Sequence, residues 1–452
     1  MDLNRLHNIF FLGIGGIGMS ALARYFHARG IAVSGYDRTP SPITEALQNE
    51  GIKVWFDDQE SILPPQIDLT VYTPAVPKST ILFAALSAKS VPLIKRAELL
   101  GLISGQLPTI AVAGTHGKTT ISTMVAHILK TAGIRTTAFL GGISTNYQTN
   151  YLDDEQPEWM VVEADEFDRS FLNLKPDIAL ISAMDADHLD IYGTEEALQD
   201  SFAEFAKRIK PGGTMVLKKG LNAGQTFSGR TLTYHTEQAA DFMAKDIEVK
   251  EGRYFAAIDG LLKTGQFALG LPGRHNLENA LGAAAIAWSL GIDVSHITLA
   301  FSTFRGVKRR FETCYQGKQT VFIDDYAHHP EEIRACIEAV KELYPSRKIT
   351  AIFQPHLYSR TRDLAQQFAQ SLALADRLWL LDIYPARELP IEGVTSYKLL
   401  DKIGMTEKKL LKKEDILPEL ENNPPEVLLT MGAGDIDRLV PDIAMFLKNK
   451  GL

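Results

Sequence analysis

Short apolar runs, each ending in glycine or a polar cluster, recur along this chain of 452 residues and alternate with stretches of helical spacing. The first run, residues 8–12, leads into Gly13-Ile-Gly-Gly-Ile-Gly18 and predicts a strand, a turn and a helix to about residue 28. A second strand, 31–36, ends at Asp37, and two more are predicted at 69–72 and 91–94. The run 109–113 breaks at Gly114, and 121–132 then has the spacing of a helix. Strands at 159–163, 177–182 and 214–217 and a helix at 195–209 follow. Residues 231–270 read as short strands of an antiparallel flap, ahead of a helix over 276–290. From about residue 313 the pattern restarts, with strands at 320–323, 348–353, 378–381 and 427–430 and helices at 331–343 and 362–374. Three successive stretches of strand and helix predict an α/β chain of three domains. These are a Rossmann-like domain at 1–106, a central P-loop ATPase-type parallel sheet at 107–312, and a Rossmann-like domain at 313–452.

Composition narrows this little. Hydrophobic content of 45% suits several cores, and a formal net charge of −8 with no long basic run argues against a nucleic-acid partner. Lys408, Lys409, Lys412 and Lys413 are diluted by Glu407, Glu414 and Asp415 and read as a solvated helix face. Two cysteines, Cys314 and Cys336, are too few for a four-ligand zinc site and suggest buried thiols in a reducing compartment. Residues 9–23 are apolar, but their glycines and strand-turn-helix pattern argue against a signal peptide. No run reaches membrane-spanning length, so a cytoplasmic protein without membrane insertion is expected.

Chemistry enters at the breaks between strand and helix. Gly114-Thr-His-Gly-Lys-Thr-Thr120 joins a buried strand to a helix, which is the layout of a phosphate cradle. Its backbone N–H groups face an anion, Lys118 adds a point charge, and a threonine hydroxyl can ligate Mg²⁺. Val112 stands where a full Walker string has its first glycine, so the loop is a shortened one. Gly13, Gly15 and Gly18, with Asp37 about twenty residues on, form a dinucleotide-type fingerprint that any nucleotide diphosphate would satisfy. Glu163-Ala-Asp-Glu-Phe-Asp168 gathers four acids at a strand end, and Asp185-Ala-Asp-His188 follows another strand. Beside a P-loop, Glu163 and His188 are candidate metal ligands, with Asp187 as support. His275 and Asn276 stand at a helix start, where Asn276 is also a good N-cap. Gly306-Val-Lys-Arg-Arg310 offers an arginine for a γ-phosphate. Asp324-Asp-Tyr-Ala-His-His-Pro330 and Phe353-Gln-Pro-His-Leu-Tyr-Ser-Arg-Thr-Arg362 each follow a strand, and Arg360 or Arg362 could hold a carboxylate. His328 and His329 are adjacent and diverge, which disfavours zinc.

The ordered set GTHGKTT, EADEFD, DADHLD, PGRHNLENA, FRGVKRRFE, DDYAHHPEE and FQPHLYSRT resembles the Mur ligases, ATP-dependent amide ligases of bacterial peptidoglycan synthesis. The likeness spans nearly the whole chain and is nearest to the alanine-adding branch. It implies ATP, Mg²⁺, UDP-N-acetylmuramate and L-alanine as ligands, and a monomer or weak dimer is expected. The resemblance also implies that Gly13, Gly15, Gly16, Gly18, Asp37 and Thr73 line the UDP-sugar site. Gly114, Thr115, His116, Gly117, Lys118, Thr119 and Thr120 would hold ATP phosphates, with Thr119 and Glu163 on one Mg²⁺ and His188 on another. His275 and Asn276 would face the adenine, and Arg310 and Asp325 would close around the nucleotide. Tyr326, His328, His356 and Arg360 would face the acyl and amino-acid ends, with His328 a candidate base. Ala183, Met184 and Leu357 depart from the pattern of the family.

Overall fold

The apolar runs become strands buried on both faces, as parallel sheets require. The computed structural model describes residues 1–89, 91–185, 189–223, 227–250, 253–386 and 388–452. They fall into two compact units. The first comprises Met1–Met243, Asp259–Lys263 and Asn279–Ala300; the second comprises Ala244–Ile258, Thr264–Glu278 and Phe301–Leu452.

The first unit opens with a parallel sheet of β1 (Asn8–Leu12), β2 (Ala32–Tyr36), β3 (Lys53–Trp55), β4 (Leu69–Tyr72) and β5 (Leu93–Lys95), in the order β3-β2-β1-β4-β5. The strand order reverses at β1, so the loops after β1 and β4 flank the crevice where ligands of open sheets bind. Helix α1 (Ile17–Ala28) leaves the first of these loops, followed by α2 (Pro42–Asn49), α3 (Ile81–Ala88) and α4 (Arg96–Ser104).

A second sheet is built on β6 (Thr109–Ala113), whose five residues are all buried. With β7 (Thr136–Ser144), β8 (Thr149–Leu152), β9 (Trp159–Glu163), β10 (Ile178–Ile181), β11 (Thr214–Lys218) and β12 (Arg230–His235) it runs β12-β11-β10-β6-β9-β7-β8. Only β8 is antiparallel to its neighbour here. Helix α5 (Lys118–Thr131) follows β6. The expected antiparallel flap is therefore corrected in part. Strand β12 extends the parallel sheet, and β13 (Phe242–Lys250) begins parallel to it through Phe242 and Met243. Beyond β13 the same sheet continues to β14 (Arg253–Gly260) and β15 (Phe267–Leu269), which pair antiparallel with each other as expected.

Helix α1 is bolted to the β7–β8 hairpin. Tyr25 packs on Phe139 at 5.4 Å between ring centroids, and Arg29 pairs with Asp153 at 2.9 Å. Asn150, fully buried, donates to Ser20 Oγ and to the Ile17 carbonyl while accepting from Arg24. One hydrophobic core accordingly runs through both sheets, from Leu22 and Phe26 to Phe202 and Phe205. Each such buried side chain contributes roughly 1.5–3 kcal/mol.

The second unit carries a six-stranded sheet of β16 (Glu312–Gln316), β17 (Val321–Asp325), β18 (Ile349–Phe353), β19 (Arg377–Leu380), β20 (Lys408–Leu410) and β21 (Val427–Met431). Its order is β16-β17-β21-β18-β19-β20, with only β16 antiparallel. The polar residues Asp324, Asp325 and Gln354, with Gly432, thereby gather at neighbouring strand ends. Lys408 and Lys409 lie on β20 and Lys413 on a 3-10 turn, so the expected helix face is a strand edge. The helix expected over 362–374 is two, Tyr358–Asp363 and Ala365–Leu372, broken at Leu364. Both cysteines are free thiols, Cys336 buried and Cys314 half-buried. Among the described residues no helix is long and apolar enough to cross a membrane.

Candidate active site

The glycine turn after β1 assembles as the spacing requires. Gly13 has φ +84°, and a Cβ on it would lie 2.6 Å from Thr73 Cγ2, so only glycine fits. Its N–H donates to the Tyr36 carbonyl at 2.7 Å. The Gly15 N–H donates to Asp37 Oδ2 at 2.8 Å, which brings the distant acid onto the turn. Gly16 caps α1 and Gly18 sits in its first turn. Against Gly18 lies the guanidinium of Arg96, 2.8 Å from where a Cβ would stand. Arg96 also reaches Asp165 at 3.7 Å, and Lys95 pairs with Asp168 at 2.8 Å. Sequence reasoning missed Lys95 and Arg96. Their signal was two cations directly after the apolar Leu93-Ile94 of a strand.

The lysine turn lies in the same unit. Gly117 caps α5 with φ +82°, and at Gly114, φ +130°, a Cβ would meet Ser182 Oγ at 2.2 Å. The Ser182 hydroxyl donates to the carbonyls of Ala113 and His116. Thr115 N–H donates to the Ala183 carbonyl at 3.1 Å, and its hydroxyl accepts from Asp185 N–H at 3.1 Å. Position 183 therefore serves the loop through its backbone, which alanine supplies as well as any other residue. His116 faces Asp185 at 3.6 Å, and Thr119 and Thr120 are buried in the first turn of α5.

Lys118 Nζ donates to the Gly114 carbonyl at 2.7 Å and to Glu166 at 2.9 Å. Burial pulls its pKa down, but the carboxylates of Glu166, Asp165 and Glu163 outweigh that and hold it above the usual lysine value. Glu166, fully buried, is the partner that the sequence did not single out among the four acids. Glu163 ends β9 and lies against Gly141, where any Cβ would collide with its carboxylate. A hard cation beside phosphates needs only one or two protein oxygens, and Glu163 with the Thr119 hydroxyl fits that donor set. His188 and Asp187 lie outside the described residues.

In the second unit Asp324 is fully buried against Arg309 at 3.0 Å and accepts from Thr430 Oγ1 at 2.6 Å. Arg309 also donates to the Gly432 carbonyl at 2.6 Å, so this arginine of the cationic run ties the sheet together. Both Arg309 and Arg310 lie over the Tyr326 ring, 5.3 and 5.0 Å from its centroid. Asp325 accepts from the N–H groups of Phe311 and Ala327 at 2.6 and 2.7 Å. Burial, only partly offset by Arg310 and these bonds, pushes its pKa up to about 6. The folded state thus holds the proton more tightly than the unfolded chain. That contribution is complete below about pH 4 and is lost as pH rises through 6. Relative to Asp325→Asn, the wild-type chain is expected to lose up to about 3 kcal/mol between pH 4 and 7. Denaturant titrations at the two pH values check this.

His329 caps the helix Pro330–Leu343, and His328 Nδ1 lies 3.0 Å from the Tyr326 carbonyl and 3.3 Å from Glu332. The rings of Tyr326 and His328 are 5.2 Å apart, and those of His328 and His356 are 6.2 Å apart. Burial and Arg360 lower the His356 pKa to about 4, and burial lowers that of His275 to about 4, so both rings are neutral near pH 7. Arg360 stands on the short helix after Leu357. Asn276 lies inside the helix Arg274–Ser289 rather than at its cap, and its amide donates to the Pro272 carbonyl at 2.6 Å.

Within the first unit the structure brings together Gly13, Gly15, Gly16, Gly18, Asp37 and Thr73 as one set, and Gly114–Thr120 with Glu163 as another. Within the second it groups Arg310, Asp325, Tyr326, His328 and His356.

Comparison with known proteins fits these arrangements. Residues 8–106 match the Mur ligase family catalytic domain, 112–287 the Mur ligase middle domain, and 309–434 the Mur ligase glutamate ligase domain. UDP-N-acetylmuramate–L-alanine ligase of Christiangramia forsetii is 47% identical over 449 residues, covering 98% of each chain. That of Cytophaga hutchinsonii is 43% identical over 460 residues, covering 100% of this chain and 99% of its own. The crystal structure of UDP-N-acetylmuramate–alanine ligase from Thermotoga maritima superposes with a TM-score of 0.83 at 29% identity, covering 98% of this chain and 99% of that one. A murein peptide ligase from Psychrobacter arcticus gives 0.70 at 25% identity, with 98% and 99% covered. With family domains matched along most of its length and relatives above 40% identity end to end, the chain belongs to the Mur ligase family.

Proposed function

We infer that this chain joins L-alanine to the lactyl carboxylate of UDP-N-acetylmuramate at the expense of ATP, in peptidoglycan biosynthesis. The observation that carries this reading is the near-full-length likeness to alanine-adding ligases, at 43–48% identity. The chemistry supports it. A carboxylate is a poor electrophile, so it must first take the γ-phosphoryl group to become an acyl phosphate. Two anions then have to meet, and Lys118 offsets their repulsion. The N–H groups of Gly114–Thr120 cradle the transferring phosphates. Mg²⁺, held by Thr119 and Glu163, would supply further charge neutralisation; His188 is assigned to a second ion. The glycine turn with Asp37 and Thr73 takes the UDP-sugar. In the second unit, Arg310, Asp325, His275 and Asn276 are assigned to the nucleotide. Tyr326, His328, His356 and Arg360 are assigned to the acyl and amino-acid ends. The alanine amine attacks the acyl phosphate, phosphate leaves, and His328, held by Tyr326 and Glu332, is the candidate acceptor of the ammonium proton. The division at 1–106, 107–312 and 313–452 and a cytoplasmic location belong to the same reading.

Purified protein with ATP, Mg²⁺ and UDP-N-acetylmuramate should release ADP only when L-alanine is added. Glycine and L-serine are the graded controls. ADP release with the L-alanyl-γ-D-glutamyl-diaminopimelate tripeptide and none with L-alanine would replace this reading by that of a peptide-recycling ligase.

A further inference from the structure

The turn that presents His356 and Arg360 is held in a conformation that its own residues disfavour. Leu357 has φ +71° and ψ +138°, an unusual backbone for a residue with a Cβ. It is also the N-cap of the helix Tyr358–Asp363, and its side chain makes no capping bond. Such strain persists only where surrounding structure over-determines it, and such positions cluster at working sites.

What over-determines it here is the loop after β19. Tyr384 N–H donates to the Pro355 carbonyl at 2.8 Å, and Leu357 N–H donates back to the Tyr384 carbonyl at 3.0 Å. The Tyr384 ring stacks on His356, with centroids 5.8 Å apart and planes 17° apart. Four residues on, Glu388 Oε2 accepts from Ser359 N–H at 3.0 Å and Oε1 accepts from the Ser359 hydroxyl. Glu388 thus performs from outside the helix the capping that Leu357 cannot, and its charge suits the positive helix end. Ser359 lies between the two residues assigned to the amino-acid end.

We propose that Glu388 is a positioning residue of the amino-acid subsite: by capping the Tyr358–Asp363 helix, it fixes the directions in which His356 and Arg360 meet the incoming amino acid. This rests on the assignment of His356 and Arg360 made above. Glu388 touches no reacting atom; its effect is confined to the turn. The substrate it tunes is a small α-amino acid, whose carboxylate needs a guanidinium held at a fixed angle.

The test is steady-state kinetics of the full chain with all three substrates varied. Glu388→Ala should raise KM for L-alanine about tenfold and leave KM for ATP and for UDP-N-acetylmuramate within about twofold. Glu388→Gln keeps one acceptor for the N–H and can donate to the Ser359 hydroxyl, so it should restore most of the alanine affinity. Ser359→Ala should shift KM for L-alanine in the same direction, and the double variant should be no worse than Glu388→Ala alone. An unchanged KM for L-alanine overturns the proposal. So does a rise of all three KM values in both Glu388 variants together with a lowered unfolding midpoint, which would mark Glu388 as structural only. A wild-type chain inactive with L-alanine would instead overturn the functional reading, and this proposal with it.

Discussion

Lys118→Ala should reduce ATP-dependent ADP formation by about a thousandfold while leaving UDP-N-acetylmuramate binding nearly intact. The first effect follows from removing the point charge assigned above to the phosphate cradle. The second follows because the glycine turn with Asp37 and Thr73 is built on a different sheet, while Lys118 bonds to Gly114 and Glu166. The substitution has a further consequence. Glu166 is fully buried, and losing the ammonium 2.9 Å away removes a charged partner of its carboxylate, at a cost of about 3–5 kcal/mol. Glu166→Gln added to Lys118→Ala should therefore recover much of the stability and none of the turnover. Calorimetry with the UDP-sugar, alongside denaturant unfolding, separates the effects. An equal loss of sugar-nucleotide affinity in Lys118→Ala would contradict the separation of the two sites.

Arg309→Ala is expected to destabilise the chain by about 3–5 kcal/mol at pH 7. Asp324 is fully buried, and Arg309 is its charged partner at 3.0 Å while also binding the Gly432 carbonyl. Burial already raises the Asp324 pKa, with Arg309 opposing that rise. Without the guanidinium the pKa climbs further, and a carboxyl whose folded pKa is raised costs stability as pH rises through that value. The deficit of the variant should accordingly shrink at acid pH, where Asp324 takes up its proton. Denaturant midpoints at pH 7 and pH 5 test both the size and the sign. A deficit below about 1 kcal/mol at pH 7 would show that the pair is dispensable.

Strands buried on both faces were legible from the sequence. The runs at 8–12, 69–72, 109–113 and 159–163 are strands with those bounds, because a continuous apolar run can satisfy little else at that length. Strands of mixed character were not. Strand β7 reads Thr-Thr-Ala-Phe-Leu-Gly-Gly-Ile-Ser and β8 reads Thr-Asn-Tyr-Leu, and neither stands out as a hydrophobic run. Strand β12 alternates polar and apolar residues as a half-exposed strand does, and nothing local says whether its neighbour runs parallel. The same divide runs through the site. Both glycine-bearing turns were visible because their chemistry is that of the local backbone. The contacts of Lys118 with Glu166, Arg96 with Gly18, and Glu388 with Ser359 join residues 48, 78 and 29 positions apart, by the numbering of the chain. Such pairs are set by topology, which residue spacing does not encode.

Asn150 leaves one mark on how the molecule comes apart. With this amide locked into the opening turn of α1, the layer of β1–β5 cannot peel from the layer behind it without baring a half-buried arginine, a buried asparagine and three aromatic rings at once. Residues 1–243 should therefore melt as a single cooperative block. A ligand bound at the glycine turn would then shield the amides of β6 from solvent exchange as strongly as those of β1.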